Sequence, residues 1–531
     1  TALLGMLPVG LVLLASISMM ASVVRLGHKN VVVQEMFSIE TLSLADTLCL
    51  DKTGTLTQGK MEVQKVKPLN GHSEQEVQDI MISFIRGSLD SNATFLTMAD
   101  HFKGDAVYAC GERVSFSSAR KWSALELKGL GTLVLGAPEF IRPDLVFDEE
   151  IESARADGAR VLLAALAGEF AGFQDRLSEA EPIAAIIISD PLREDAAECI
   201  RFFQENEVDI KVISGDNPKT VSALARQAGV RGAQHCVDAS LLQSDEEIEE
   251  AILNHSVIGR ASPQQKHKMI LTLQQHGHKV AMTGDGVNDV MALKEADCSI
   301  AMAQGSEAAK NIANLVLLDS NFSHLPDIVN EGRRVINNIQ RTASLFLVKT
   351  SFSVILGFLT LFFIPIYPFE PIQLTLISTV SIGIPSFFLA LEPNHERVRG
   401  NFLRNVFSKA LPGALCVVLS VFYVYALTAI EPLSQEVIST LCVILAGCSS
   451  LAVLFRISRP FNMNRRIIFG AMCLMFVLCI IVPPLASWFM LVRLSPLQLL
   501  CAGVGIVLIP LVQNGLFYIF ERLTFTRPDL P

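Results

Sequence analysis

The positions of long apolar stretches limit the fold of this 531-residue chain more than any other feature. Residues 1–24 carry no charge, and further apolar stretches lie at about 342–366, 371–391, 410–430, 437–455, 467–492 and 494–520. A helix of about 20 apolar residues is long enough to cross the hydrocarbon core of a bilayer. The sequence therefore predicts seven membrane spans, one before and six after a polar stretch that runs from Arg25 to about Arg341.

The composition is that of a membrane protein with a polar insert. Half of the residues are hydrophobic, 18% are charged and the mean hydropathy is +0.42, which is too apolar for a purely soluble chain. A net charge of −10 gives no electrostatic support for binding nucleic acid. The eleven cysteines contain no CxxC pair, which favours reduced thiols over a disulfide framework.

Basic residues in the short loops predict the orientation. Alternate loops are basic, and the loops between them are acidic or nearly neutral; the basic ones contain Arg397, Arg399, Arg404 and Lys409, then Arg456, Arg459, Arg465 and Arg466. By the positive-inside rule the basic loops are cytoplasmic. The polar insert is predicted to lie on the same side, in the cytoplasm.

The heptad Asp51-Lys52-Thr53-Gly54-Thr55-Leu56-Thr57 follows the apolar run at residues 47–50. That run is predicted to be a buried strand, so Asp51 lies at its carboxyl end, where open α/β sheets place their ligands. Gly54 and the threonines supply a tight turn with N–H and hydroxyl donors. A carboxylate in this position can accept a phosphoryl group and become an aspartyl phosphate.

This heptad resembles the phosphorylation signature of the P-type ATPases, membrane pumps of the haloacid-dehalogenase superfamily. The resemblance implies a Rossmann-like α/β phosphorylation domain with an inserted α+β nucleotide-binding domain, joined to an all-α bundle of membrane helices. The implied divisions are a membrane helix and stalk at 1–29, a phosphorylation domain at 30–57 and 180–330, a nucleotide domain at 58–179, and six membrane helices at 331–531. A bacterial plasma membrane is the implied location.

Three other segments are predicted to meet Asp51. A strand at 209–213 ends in Ser214-Gly215-Asp216, where a hydroxyl and backbone N–H groups meet a helix N-terminus and form a natural phosphate cradle. A strand at 280–283 precedes Asp285 and Asp289, and two carboxylates at i and i+4 suit a hard cation. Lys266 matches the family's lysine for the phosphoryl oxygens. We predict that four strand ends present Asp51, Ser214, Lys266 and Asp285 toward one place.

A second group of residues resembles the family's nucleotide pocket. Phe116 begins the string Phe-Ser-Ser-Ala-Arg-Lys, and residues 135–139 read Leu-Gly-Ala-Pro-Glu. The resemblance implies that Phe116 stacks on adenine, with the remaining contacts made by Arg120, Lys121, Gly136 and Arg160. Leu135 departs from the pattern, because the family often has lysine there.

The family resemblance also implies a mechanism with ATP and Mg²⁺ as cofactors. Asp51 would attack the γ-phosphate, and Mg²⁺ would be held by Asp51, Asp285 and the Thr53 carbonyl, with Asp289 supporting Lys266 or a metal-bound water. Phosphatases of the superfamily carry an acid two positions after the nucleophile. Threonine at residue 53 would slow hydrolysis and let the phosphoenzyme persist. No GxxxxGK[ST] pattern is present, which argues against a P-loop motor.

The family's actuator loop, Thr-Gly-Glu, does not occur in the sequence. We therefore expect the actuator domain and the first three membrane helices to be missing. The resemblance then implies that residues 1–531 phosphorylate at best and do not complete a pumping cycle.

The transported substrate is the least constrained property. Charged or hydroxyl-bearing residues at membrane depth and a helix break at Pro8 are the candidates for the transport site: Pro8, Lys349, Thr350, Ser353, Thr375, Ser378, Thr379 and Ser381. The 381–385 and 391–394 segments resemble bacterial calcium-type pumps, yet no carboxylate lies in the middle of a span. Ca²⁺, a monovalent cation, a polyamine or a lipid all stay open. Two alternative hypotheses for the whole chain are a membrane-tethered phosphatase of the superfamily and a non-catalytic remnant.

Overall fold

A computed structural model describes residues 9–117, 120–156, 158–171, 173–362, 366–398 and 400–525. The chain divides into two compact units. Leu26–Ile328 form the first, called the polar unit below. Thr1–Arg25 and Val329–Pro531 form the second, called the helical unit.

An eight-stranded sheet is the centre of the polar unit, parallel except for one antiparallel edge strand. Its strands, in spatial order, are Val31–Val33, Leu315–Leu317, Cys298–Met302, Val280–Gly284, Thr47–Leu50, Asp209–Ile213, Val257–Gly259 and Cys236–Asp238. The central strands are almost wholly buried. Burial on both faces explains why they are continuous apolar runs with no polar alternation.

The register of this sheet aligns the ends of three strands. Leu50 pairs with Thr283 on one side and with Val212 on the other, and both pairings are parallel. The residues that follow these strands therefore emerge at one edge of the sheet, as predicted for Asp51, Ser214 and Asp285.

Helices cover the eight-stranded sheet and complete this part of the unit. They are Ser38–Leu44, Ala196–Glu205, Pro218–Gln227, Asp245–Asn254, Pro263–Gln275, Val290–Glu295 and Glu307–Ile312. The helix Pro263–Gln275 begins where the sequence dictates, since Ser262 and Gln265 form a reciprocal capping box and proline occupies the first helical position.

A separate six-stranded antiparallel sheet is built from residues 62–189. Its strands, in spatial order, are Glu62–Pro68, Glu181–Ser189, Arg160–Leu166, Gly131–Gly136, Trp122–Leu127 and Cys110–Val114. It packs with the helices Glu74–Gly87, Ala93–His101, Pro138–Ile141 and Glu149–Ala156.

One sequence assignment is wrong. Residues 180–189 were assigned to the phosphorylation domain together with Asp51, but Glu181–Ser189 lies between Glu62–Pro68 and Arg160–Leu166 in the six-stranded sheet. The insert therefore extends through Ser189 and does not end at residue 179. A buried apolar strand fits either sheet equally well by pattern, and only its pairing partners decide.

The described residues contain seven helices that are long and apolar enough to cross a membrane, as the sequence predicted. The spans are Gly10–Gly27, His324–Phe362, Pro371–Leu391, Phe402–Leu427, Gln435–Ile457, Met463–Ile481 and Pro496–Phe520. The chain is thus a multi-pass membrane protein. All eleven cysteines are free thiols, as expected.

The 381–385 segment overlaps a π-helical turn, Thr379–Gly383, which lies between the helices Pro371–Ser378 and Ile384–Leu391. Pro385 lacks a backbone N–H, so it cannot continue the regular ladder of helical hydrogen bonds. The wider π-helical turn accommodates one extra residue before Pro385, and the span continues as the helix Ile384–Leu391.

Candidate active site

The turn after Asp51 is held in one conformation by residues from another segment. Gly54 has φ +67°, in the left-handed region. Arg193 donates from Nε to the Thr55 carbonyl at 3.0 Å and from Nη2 to the Gly54 carbonyl at 2.9 Å. Asp190 accepts from the Thr57 hydroxyl at 2.5 Å and from the Gly59 N–H at 3.0 Å. The segment 190–193 therefore clamps the loop that carries Asp51.

A lysine joins two buried carboxylates at the centre of this edge. Lys266 Nζ donates to Asp51 Oδ1 at 2.7 Å and to Asp289 Oδ1 at 2.6 Å. All three residues are buried. Lys266 comes from the fourth position of the Pro263–Gln275 helix, so the expectation that it follows a strand end is corrected, although it reaches the predicted place.

Three carboxylates meet beside this lysine. One oxygen from each of Asp51, Asp285 and Asp289 lies within 4.8 Å of the others. Burial, together with the negative charges of Asp51 and Asp289, raises the pKa of Asp285 to about 6. Burial also raises the pKa of Asp51, with Lys266 opposing the shift and Asp289 adding to it. Such a cluster, with more negative than positive charge, is stabilised by a bound cation.

The donor set fits Mg²⁺, a hard cation that prefers carboxylate and carbonyl oxygen. Asp51, Asp285 and Asp289 would hold it, and the Thr53 carbonyl remains a predicted fourth ligand. The space is tightly shaped, because a Cβ at Gly54 would lie 2.6 Å from Asp285 Cγ and would overlap its Oδ2. A bound Mg²⁺ would neutralise charge on a phosphoryl group at Asp51.

The predicted phosphate cradle lies on the neighbouring strand. Ser214 is buried, and its hydroxyl accepts from the Asp216 N–H at 3.2 Å. Asp216 is half exposed and forms an ion pair with Lys52. A Cβ at Gly215 would make only ordinary van der Waals contact, with the Ala261 carbonyl oxygen at 3.8 Å. Sequence reasoning missed Lys52, although it stands inside the heptad beside Asp51.

Replacing Lys266 with methionine is expected to lower the rate of phosphorylation of Asp51 by about two to three orders of magnitude. The change keeps the length of the side chain but leaves Asp51 and Asp289 without their shared cation. The measurement is rapid-quench formation of an acid-stable phosphoenzyme. Lys268→Met is the matched control, since Lys268 lies on the same helix but is exposed and pairs with Asp245 at 2.9 Å. Equal rates for both variants would contradict the assigned role of Lys266.

A cavity of about 660 Å³ opens beside the six-stranded sheet. Four of the five predicted nucleotide residues line it: Phe116, Lys121, Gly136 and Arg160. Phe116 has 39% of its surface exposed, and its N–H donates to Asp90 Oδ1 at 2.9 Å. Lys121 adopts φ +62°, a costly conformation for a residue with a side chain. The cavity is large enough for a nucleotide.

Arg120 is not placed in this cavity. Its guanidinium donates to the Ser115 carbonyl at 2.8 Å and lies over the Trp122 ring, 5.3 Å from the centroid. Sequence reasoning missed Asp90 and Arg155, which line the cavity, and it included Glu139 only as part of the 135–139 string without assigning it a contact. Leu135 also lines it, buried, at the position where the family often has lysine. Residues 118 and 119 of the predicted string lie outside the described part of the chain.

Phe116→Ala is expected to raise the Kd for ATP by about tenfold, because stacking of a base on an aromatic ring contributes about 1–3 kcal/mol. Isothermal titration with a non-hydrolysable ATP analogue measures the change. Phe140→Ala serves as the control, since Phe140 is an exposed phenylalanine (47%) of the same sheet region that does not line the cavity. If the two variants bind equally well, Phe116 does not stack on the base.

The transport-site candidates separate into groups. Thr375 and Thr379 are exposed, and their hydroxyls, like those of Ser378 and Ser381, donate to carbonyls one turn back in the same helix. Lys349 and Ser381 line one small void, and Ser353 is fully buried nearby in sequence. Thr350 is half-buried, and Pro8 lies outside the described residues. The structure thus brings Lys349 and Ser381 together but turns Thr375 and Thr379 to the surface.

Comparison with known families first identifies the class of the catalytic domain. Residues 45–297 match the haloacid dehalogenase-like hydrolase family. This range spans Asp51, Ser214, Lys266, Asp285 and Asp289. The class therefore agrees with the doubly wound sheet and with the position of the carboxylate cluster.

The relatives that the chain matches are named as ATPases that transport cations. The chain is 45% identical over 479 residues (88% of this chain, 61% of the relative) to the probable cation-transporting ATPase exp7 of Streptococcus pneumoniae. It is 38% identical over 508 residues (92% and 63%) to the calcium-transporting ATPase CtpE of Mycobacterium bovis. A human relative, calcium-transporting ATPase type 2C member 2, is 28% identical over 459 residues (73% and 48%).

The chain belongs to the P-type ATPase family. It spans about three fifths of the length of the bacterial relatives it matches.

Proposed function

We propose that the chain forms an aspartyl phosphate at Asp51 from ATP, the step by which a complete P-type pump drives cation transport across a membrane. The observation that carries the proposal is the contact of Lys266 with both Asp51 and Asp289 beside Asp285. The haloacid dehalogenase-like match and the cation-transporting relatives support it. The catalytic domains would lie in the cytoplasm, at a bacterial plasma membrane.

Each residue of the site has its own role in phosphoryl transfer. Asp51 is the nucleophile, and Lys266 places positive charge beside it and orients its carboxylate. Ser214 and the Gly215 amide would donate to phosphoryl oxygens, while Asp216 holds Lys52 near the cradle. Mg²⁺ bound by Asp51, Asp285 and Asp289 would supply charge neutralisation. Arg193 and Asp190 keep the loop in place, so little reorganisation is needed during the reaction.

Thr53 supports a persistent phosphoenzyme. It stands two residues after Asp51, where phosphatases of the superfamily carry an acid that activates water. A threonine has no carboxylate for this step, so hydrolysis is slow unless another group supplies one. A long-lived phosphoenzyme can be coupled to a conformational change, which suits a pump better than a phosphatase.

We propose Ca²⁺ as the first cation to test, because relatives are named calcium-transporting ATPases. The spans carry no carboxylate near their middle, and Ca²⁺ sites usually include carboxylates. A monovalent cation, a polyamine or a lipid substrate are therefore the alternative outcomes. Candidate ligands in the spans are the Thr350, Ser353 and Ser378 hydroxyls and the carbonyls of the Pro8 region, and Lys349 is a charged candidate that would contact an anionic or polar group rather than a cation.

The test is acid-quench labelling with [γ-³²P]ATP in lipid nanodiscs. The expected result is an acid-stable, hydroxylamine-labile label that requires Mg²⁺ and rises when Ca²⁺ is added. A label that rises with another cation instead would identify that cation as the substrate and would still support the aspartyl phosphate at Asp51. A protein that binds ATP but forms no label under any cation would refute the proposed function.

A further inference from the structure

Two antiparallel helices of the helical unit meet along a row of polar residues. Asn338 on the helix His324–Phe362 donates from Nδ2 to the Ala390 carbonyl at 3.1 Å and to the Glu392 carbonyl at 2.8 Å. Eleven residues further along the same helix, Lys349 lines a void with Ser381 and Ile382 of the other span. Helix His324–Phe362 therefore runs beside residues 381–392 over about three turns.

Buried polar atoms along this contact have no hydrogen-bond partner among the described residues. They are Asn338 Oδ1, Thr342 Oγ1 and Ser386 Oγ, and all three residues are at least 98% buried. Thr342 lies one turn after Asn338, and Ser386 lies one turn before Ala390, so both fall between Asn338 and Lys349 along the contact. We call Asn338, Thr342, Lys349, Ser381, Ser386 and Ser450 the polar seam.

Other buried polar atoms of this unit also lack a partner among the described residues, Gln340 Nε2 and Gln513 Nε2 among them, but Asn338 Oδ1, Thr342 Oγ1 and Ser386 Oγ lie in one row along a single helix contact. Many hydroxyls of the unit instead donate to a carbonyl one turn back, as Ser344 does to Gln340 at 2.8 Å and Ser420 does to Cys416 at 2.8 Å. A buried polar atom without a partner costs about 1–3 kcal/mol. Three such atoms in one row point to a bound molecule that supplies the missing hydrogen bonds.

The deep end of the polar seam has room for that molecule. Lys349, Ser381 and Ser450 line a void of about 10 Å³ together with five apolar residues: Leu345, Val348, Phe352, Ile382 and Val453. A volume of about 10–15 Å³ accommodates one water, and a buried water needs two to four polar partners. The three polar side chains supply these partners.

The shallow end of the seam is charged. Arg465 donates from Nε to Glu392 Oε2 at 2.7 Å, and both side chains are more than nine-tenths buried. Arg334 donates to the Leu391 carbonyl, and Arg341 has an unpartnered Nη1 among the described residues. Water at this end of the polar seam would hydrate these charged groups, which are costly to bury without it.

We propose that the polar seam is an ordered-water site that connects the charged groups around Glu392 with the Lys349 ammonium. Water would accept from the Thr342 and Ser386 hydroxyls, donate to Asn338 Oδ1 and occupy the void beside Lys349. The site concerns only the helical unit and does not depend on the proposed transported cation.

X-ray radiolytic footprinting tests the site in the full chain in nanodiscs, because radicals formed from bound water oxidise adjacent side chains. Thr342→Cys is expected to be oxidised about five times faster than Ala343→Cys, since water bridges only the polar position. Residues 342 and 343 have the same depth and are both buried (2% and 4% exposed). Equal rates would overturn the proposal.

The unchanged chain supplies a second measurement that does not depend on a variant folding. Phe352 lines the void, whereas Phe476 is equally buried elsewhere in the same unit. Phe352 should be oxidised faster, and the double variant Thr342→Val/Ser386→Ala should slow it, while Ser344→Ala should not. Oxidation of Phe352 at the rate of Phe476, or insensitivity to the double variant, would show that the seam is dry.

Discussion

Asp51→Asn is expected to abolish the acid-stable phosphoenzyme, a loss of more than about three orders of magnitude. An amide oxygen is too weak a nucleophile to attack the γ-phosphate, and asparagine also removes one of the three carboxylates that would hold Mg²⁺. The side chain keeps its size, so the fold is expected to survive. The measurement is hydroxylamine-sensitive ³²P incorporation after an acid quench.

The control for this variant is Asp46→Asn. Asp46 precedes the same strand at its other end, where its half-exposed carboxylate contacts His278 at 3.0 Å. Phosphorylation should be unchanged in Asp46→Asn, and both variants should still bind ATP because neither change alters a residue that lines the nucleotide cavity. Label that survives in Asp51→Asn would assign the phosphate to another residue.

The carboxylates of the site could be predicted because they follow parallel strands. A buried apolar run gives the strand, and the carboxyl ends of neighbouring parallel strands share an edge. This places Asp51 and Asp285 together without further information. Lys266 lies on a helix, so its approach to Asp51 depends on how that helix packs, and only the family resemblance indicated it.

The strand Glu181–Ser189 shows what a pattern cannot decide. Its apolar run predicts a buried strand correctly, but the polar unit contains two sheets with buried strands. Membership is set by the backbone pairing with Glu62–Pro68, which lies more than 100 residues earlier in the chain. The clamp by Arg193 and Asp190 was equally hidden, because it joins side chains to loop atoms whose positions the sequence does not specify.

The membrane candidates show a related limit. Thr375 and Thr379 are four residues apart and share a helix face, yet spacing does not tell which face of a span meets its neighbours. Both are exposed, whereas Asn338, Thr342 and Ser386 are buried. Ser and Thr occur on both lipid-facing and buried faces, because their hydroxyls can donate a hydrogen bond to a backbone carbonyl one turn back in either place.

Gly54→Ala is expected to reduce Mg²⁺-dependent phosphorylation by about two to three orders of magnitude, although residue 54 has no side chain to contribute. Two effects combine at this position. A left-handed backbone at φ +67° costs a residue with a Cβ about 1–2 kcal/mol. The new Cβ would also overlap Asp285 Oδ2 and displace this carboxylate from Asp51 and Asp289.

Gly71→Ala separates the two effects. Gly71 has φ +82° and would place its Cβ in open space, so it carries the backbone cost without the overlap. Gly71→Ala should lose only the small thermal stability that the left-handed backbone costs, measured as Tm, and Gly54→Ala should lose at least as much. Only Gly54→Ala should lose phosphorylation, and higher Mg²⁺ should recover part of it because the displaced group is a metal ligand. Equal phosphorylation in the two variants would mean that Asp285 tolerates displacement, and the carboxylate cluster would not be the magnesium site.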